Sequence, residues 1–163
     1  KIGKSASACE RIKLAAPLHD IGTIGIPDTV LTKKGVYTPD DFKIMAPHTE
    51  IGAAILGKSE RPVLRMASII AAQHHERWDG SGYPKGLKEE QIDISARIVA
   101  VADVIDALSS HKHYRAAYRY DEIVTFLNKE RAVTLDPNIV DAALELIEDF
   151  QKIRLAFPDI LRS

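Results

Sequence analysis

Cysteine is nearly absent from this 163-residue chain: Cys9 stands alone. One thiol cannot close an internal disulfide, and it argues against thiolate zinc sites and iron–sulfur clusters, which need several. A reducing, cytoplasmic setting is expected. Neither sign of charge dominates, with 22 Lys plus Arg against 23 Asp plus Glu and a net charge of −1. That balance argues against a protein built to coat DNA or an anionic membrane, although it leaves room for a local basic patch. No stretch approaches the roughly 20 apolar residues of a membrane span, and nothing at the start reads as a signal peptide. β-Alternation, internal repeats and a Pro/Gly-rich linker are missing too. Hydrophobic residues at 45% and charged residues at 28% sit at globular averages, so one folded domain is expected rather than disorder. The length supports one sizeable core and falls short of two ordinary domains. What stands out is six histidines and their placement.

The pattern predicts helices throughout. Cys9 to Leu18 reads as an amphipathic helix with Ile12, Ala15, Ala16 and Leu18 near one face, starting without an evident cap and ending at Gly22 and Gly25. Thr38-Pro39-Asp40-Asp41 is a helix start, with Thr38 as N-cap, Pro39 at the first helical position and acids in the first turn. Pro47 should break that helix just before His48, and a short helix should restart and stop at Gly57. Pro62 opens the next helix, running through Met66, Ile69 and Ile70 to His74-His75. Asp79 to Pro84 is dense in turn formers and reads as a loop. Ser95 to Ser110 carries Ile98, Val101, Ala102, Ile105 and Leu108 at helical spacing. Two further helices are expected, about 121–129 and 137–150. The fold class is therefore all-α, a bundle of about six to eight helices.

Four histidines fall at helix ends or interiors beside carboxylates: His19-Asp20, His48 with Glu50, and His74-His75-Glu76. Asp103 lies inside an otherwise apolar helix. Burying such groups without partners costs several kcal/mol each, and a bound cation would satisfy carboxylates and imidazoles together. The donors are nitrogen and oxygen without sulfur, which suits Fe, Mn, Co, Ni or Zn in an open hydrolytic centre. Neighbours on a helix point about 100° apart, so His19 and Asp20 share one cluster only if it sits over a helix end. A carboxylate can bridge two ions while the adjacent imidazole binds one, so a site of two or more metals is expected.

The order His19-Asp20-Ile21-Gly22, then His48 with Gly52 and Leu56, then His74-His75-Glu76-Arg77-Trp78-Asp79-Gly80-Ser81-Gly82-Tyr83-Pro84, then Asp103-Val104-Ile105-Asp106-Ala107-Leu108 resembles the HD-GYP family. The likeness runs from about Glu10 to Asp149, and the stretch from His74 to Pro84 is its most specific part. The resemblance implies an HD-type helical fold and a metal-dependent phosphodiesterase that hydrolyses cyclic di-GMP to pGpG and GMP in bacterial second-messenger signalling. It implies two or three divalent metals, iron or manganese first, held by His19, Asp20, His48, His74, His75 and Asp103, with Asp20 also catalytic. Basic residues after the Asp helix grip the substrate phosphate in that family, and here Lys112 and Arg115 occupy those positions. Independently of the family, these two share one helix face at i, i+3, in a segment, His111 to Arg119, without an acid. Arg115 suits a bidentate phosphate contact and Lys112 a point charge. The resemblance also implies contact with GGDEF-domain proteins through Gly82, Tyr83 and Pro84.

Two departures from the pattern shape the alternatives. Members usually follow His-Asp-Ile-Gly with Lys, whereas Thr23 stands here, so a cation near the phosphate is missing. Members also supply further ligands from an upstream helix, and residues 1–163 are expected to form a single HD-GYP-type domain without that helix or an upstream receiver or sensor domain. A weakly active or inactive domain serving as a nucleotide-binding or protein-interaction module is therefore one alternative, and an HD phosphohydrolase acting on another nucleotide is a second. Among accessory residues, Trp78 suits stacking on a guanine or plain packing, and Glu76 suits orienting an imidazole or a surface pair. Asp106 suits a capping role as well as a site role. His111 and His113 read as solvated members of the basic segment. Gly82 and Pro84 can simply shape a turn in which Tyr83 covers the helix below.

Overall fold

The computed structural model describes residues 2–110 and 116–157. Helix-forming segments separated by proline and glycine produce the elements α1 (Ala6–Ala15), α2 (Asp28–Leu31), α3 (Pro39–Met45), α4 (His48–Leu56), α5 (Pro62–Gln73), α6 (Ile94–Ser109), α7 (Tyr120–Glu130), α8 (Pro137–Leu144) and α9 (Ile147–Ala156). Three 3₁₀ turns, Ala16–Leu18, Ile21–Gly25 and Glu89–Gln91, join them. The fold is all-α. Among the described residues there is no strand, only an isolated bridge between Arg131 and Leu135. No helix of the described residues is long and apolar enough to cross a membrane.

Local chemistry sets several of the boundaries. Thr38 caps α3 in a reciprocal box: its side chain accepts from the Asp41 amide while the Asp41 carboxylate accepts from the Thr38 amide. Lys33 also donates to that carboxylate, and together these bonds hold the Asp41 carboxyl down at about 2. Pro47 separates α3 from α4, Gly57 caps α4, and Pro62 opens α5.

Two boundaries differ from expectation. α1 begins three residues earlier than predicted, with Ser5 as its N-cap accepting from the Ala8 amide at 3.2 Å. It stops at Ala15 rather than Leu18, because Pro17 has no amide hydrogen to continue the ladder and the chain tightens into a 3₁₀ turn. The expected helix at 137–150 is two helices, α8 and α9, broken at Glu145-Leu146. No proline or glycine marks that break. Tertiary packing draws Leu144, Ile147 and Phe150 together onto the core around it.

Two apolar clusters form the core, and α6 belongs to both. Val99 packs with Ala15, Leu56, Ala67, Ile70 and Ala71 from α1, α4 and α5. Val101, Ile105 and Leu108 pack with Ile123, Leu127, Ile139 and Val140 from α7 and α8. Small residues let α4 and α5 approach closely, with Gly52 against Ala71. A buried ion pair, Arg97 Nη1 to Asp136 Oδ2 at 2.5 Å, ties α6 to the start of α8, where Asp136 also accepts from the Asn138 amide. The Arg97 guanidinium lies 5.7 Å from the centre of the Trp78 ring.

Candidate metal centre

Three breaks in the helical pattern deliver the histidines to one place. His19 and Asp20 sit in the turn between two 3₁₀ segments, so both side chains reach the same side, as sharing one cluster requires. His48 is the first residue of α4, and His74 caps the end of α5 with His75 next. Asp103 projects from the middle of α6. Gly22 fixes the approach of the first turn to α4. A Cβ on it would lie 1.9 Å from the His48 carbonyl oxygen and 2.5 Å from the Gly52 nitrogen, so only glycine fits.

Asp20 is the hub. Its Oδ1 lies 3.3 Å from His48 Nε2 and 3.4 Å from His74 Nε2, while Oδ2 lies 3.5 Å from His19 Nε2. Ligand atoms of Asp20, His48, His74 and His75 all fall within 4.8 Å of one another. His19 joins the carboxylates of Asp20 and Asp103, with Asp103 Oδ1 3.8 Å from its Nε2. All six residues expected as ligands are thus brought together, arranged as two donor groups about one shared carboxylate.

The imidazoles are oriented for ligation. Nδ1 of His19, His48 and His74 donates to the carbonyl oxygens of Ala16, Met45, and Ile70 and Ala71 respectively, at 2.8–3.1 Å. A carbonyl only accepts, so the proton of each neutral ring sits on Nδ1 and the Nε2 lone pair faces the cluster. His48 Nε2 and His74 Nε2 then confront each other at 3.4 Å. Two lone pairs and a carboxylate oxygen meeting in a buried spot need a cation or a proton between them. Contact with His48 and His74 holds the Asp20 carboxyl well below the usual range. Burial opposes charge on His48, but the Asp20 carboxylate and the Met45 carbonyl outweigh it and raise its pKa. His75 moves the other way, down to about 3, through burial and the neighbouring His74 and His48. Protons therefore cannot neutralise the whole group at once, whereas a divalent ion suits several neutral imidazoles and carboxylates together. The residues fit such an ion.

The loop from Asp79 to Pro84 closes over this centre. Tyr83 stacks on His75 with ring centres 4.9 Å apart, and its edge meets Phe42 of α3. Gly82 packs inward, where a Cβ would lie 2.4 Å from the Arg77 nitrogen and 2.5 Å from the His75 oxygen. Glu76 has a role beyond the two considered from sequence. It is buried and accepts from the Lys85 amide at 2.8 Å and the Leu87 amide at 2.9 Å, pinning the loop to the end of α5. Glu76→Gln should cost about 1–3 kcal/mol, because an amide nitrogen on a buried side chain would then face a backbone donor. Urea denaturation, with amide exchange at Lys85 and Leu87, measures it; unchanged exchange at both would reject the anchoring role.

Of the remaining expected residues, Pro84 is half-buried beside Tyr83. Trp78 faces Arg97, away from the cleft that opens on the cluster. Asp106 is exposed one turn beyond Asp103. Lys112 and Arg115, with His111 and His113, lie outside the described residues. Thr23 spends its hydroxyl on the Asp20 carbonyl oxygen, at 2.8 Å. The backbone role of Gly22 against α4 has no signature of its own in the sequence, since a glycine after a helix also reads as a stop signal.

A family model described as HD domain matches residues 1–139. A cyclic di-GMP phosphodiesterase of Thermotoga maritima is 45% identical over 94% of this chain and 42% of its own length. The cyclic di-GMP phosphodiesterase response regulator RpfG of Xanthomonas campestris pv. campestris is 46% identical over 88% of this chain and 38% of its own. A 3′3′-cGAMP-specific phosphodiesterase 2 of Vibrio cholerae is 41% identical over 96% of this chain and 30% of its own. The chain thus spans well under half the length of these relatives. With a His/Asp cluster able to hold a metal ion and a glycine-tyrosine-proline loop folded over it, the chain belongs to the HD domain family, among its HD-GYP members.

Proposed function

We propose that this domain is a metal-dependent phosphodiesterase that opens a cyclic dinucleotide, cyclic di-GMP first, to the linear pGpG and GMP. The observation that carries this reading is the Asp20 carboxylate, shared between the His48/His74 pair on Oδ1 and His19 on Oδ2. The two donor groups would hold two divalent ions, iron or manganese being the best match to a nitrogen-and-oxygen set with no thiolate. Such ions, when bound, supply Lewis acidity toward phosphoryl oxygens and lower the pKa of water.

The chain's own residues do the rest. Carbonyl oxygens hold three Nδ1 protons, which keeps each Nε2 free and its ring fixed in direction. Burial keeps His75 neutral across the working pH range. Lys112 and Arg115 would neutralise and position the phosphate. Substrate identity is supported by the relatives, two of them named for cyclic di-GMP and one for 3′3′-cGAMP.

The test is a turnover panel of cyclic di-GMP, 3′3′-cGAMP, cyclic di-AMP and bis(p-nitrophenyl) phosphate with Mn²⁺ or Fe²⁺. Release of linear dinucleotide from cyclic di-GMP is expected. Faster release from 3′3′-cGAMP would reassign the substrate. Tight cyclic di-GMP binding without product would replace the enzyme with a binding module, the reading to which Thr23 points by standing where HD-GYP members usually carry Lys.

A further inference from the structure

A cleft of about 370 Å³ opens beside the metal cluster, between α6, α7 and the loop that follows α5. It is continuous with the cluster, since His74, His75 and Asp103 form part of its wall. A larger cavity of about 500 Å³, bordered by Arg97 and Asp136, shares no residue with the cluster. The cleft beside the cluster has apolar surface from Val104, Phe126 and Leu135, one cation from Arg77, and, besides Glu76 with its oxygens on loop amides, a carboxylate from Glu130.

Glu130 is half-buried at the last position of α7. The Thr134 hydroxyl donates to its Oε2 at 2.6 Å, which fixes the direction of the carboxylate. No ion pair to Glu130 forms among the described residues. A carboxylate in a cleft that also admits phosphates repels its ligand, unless the ligand brings hydrogen-bond donors to it. Guanine brings two, N1–H and the exocyclic amine, side by side on one edge. Adenine places an unprotonated N1 there instead, which a carboxylate repels. The Phe126 ring with the aliphatic Val104 and Leu135 offers apolar surface to the faces of a purine, and the volume of about 370 Å³ accommodates one base with sugar.

We propose that this cleft is the base-binding part of the site and that Glu130 selects guanine over adenine by accepting from N1–H and the amine. The inference rests on the cyclic dinucleotide reading and adds to it a specificity-determining residue. It follows that a substrate carrying at least one guanine enters in a single orientation, base toward α7 and phosphate toward Asp20.

Titration of the metal-free chain with GMP and with AMP tests this without turnover. The wild type should bind GMP about 10-fold or more tighter than AMP, the scale set by a hydrogen-bonding site left unpaired by the wrong ligand. Glu130→Gln should lower GMP affinity by about 10-fold and bring the two nucleotides level, because an amide pairs with either base edge. With metal, the same variant should raise KM for cyclic di-GMP. Thr134→Val keeps the carboxylate but frees its rotamer, and serves as the second variant if Glu130→Gln is unstable. It should weaken GMP and spare the preference. Equal wild-type affinity for GMP and AMP, or parallel loss of both in Glu130→Gln, overturns the proposal. A selective GMP titration alongside a failed cyclic di-GMP assay would reject the reaction and retain the base site.

Discussion

Asp20→Ala is expected to strip the domain of bound metal and to lower phosphodiester turnover by about 10⁴-fold or more, the scale of losing a central catalytic group. The expectation comes from geometry rather than from the residue's place in a motif. Oδ1 and Oδ2 face different imidazoles, so one truncation disconnects both donor groups. Removing His19 alone would spare the His48, His74 and His75 side. The side chain of Asp20 is about half exposed, at 54%, so alanine there should barely alter the fold. Loss of function would then report on the ions and not on unfolding. Asp20→Asn sharpens the point, since an amide has the same shape but one oxygen donor and no charge. Elemental analysis and a melting curve read the result. Mn²⁺ at about 100 times its Kd should stabilise the wild type by about 2.7 kcal/mol and stabilise neither variant. Metal content and turnover that survive Asp20→Ala would sink the assignment.

Much of the fold was legible wherever a residue has one strong backbone preference. Thr38 with Pro39, Pro47, Gly57 and Pro62 all mark boundaries where they were expected. The α8–α9 break carries no such residue and arises from packing, which a continuous apolar period conceals. Similarly, Ser5, the cap of α1, lies four residues before the apolar period that starts at Cys9, and no pattern in the sequence connects the two. The cluster was legible for a different reason. Histidines next to carboxylates, at segment ends, are costly in a core without a shared ligand, and that cost shows in sequence before any contact is known. What sequence could not show is division of labour among the acids. Glu76 adjoins two of the histidines yet spends both oxygens on loop amides. Glu130 lies far along the chain from the histidines and shares their cleft. Only the path of the chain distinguishes them.

Gly22→Ala is expected to be the most damaging of the small changes around the site, and the reason joins fold to chemistry. The added methyl would sit 1.9 Å from the His48 carbonyl oxygen and 2.9 Å from its carbon, both backbone atoms. Neither can rotate away, so the first turn of α4 must move as a unit. Such overpacking costs about 3 kcal/mol, the upper end of its usual range. Gly25→Ala offers the contrast, because its Cβ meets the tip of the Ile51 side chain at 2.9 Å, which a rotamer change relieves. Gly52→Ala is intermediate, with Ala71 Cβ at 3.3 Å and the Gly22 nitrogen at 3.2 Å. Urea denaturation should therefore rank the three variants Gly22, Gly52, Gly25 from most to least destabilised. The displacement also separates His48 from Asp20, which now stand 3.3 Å apart. Metal affinity of folded Gly22→Ala should fall although no candidate ligand was changed, while Gly25→Ala keeps it. Equal stability and equal metal affinity in Gly22→Ala and Gly25→Ala would mean that this glycine only ends a turn, and that the spacing of Asp20 from His48 is held by something else.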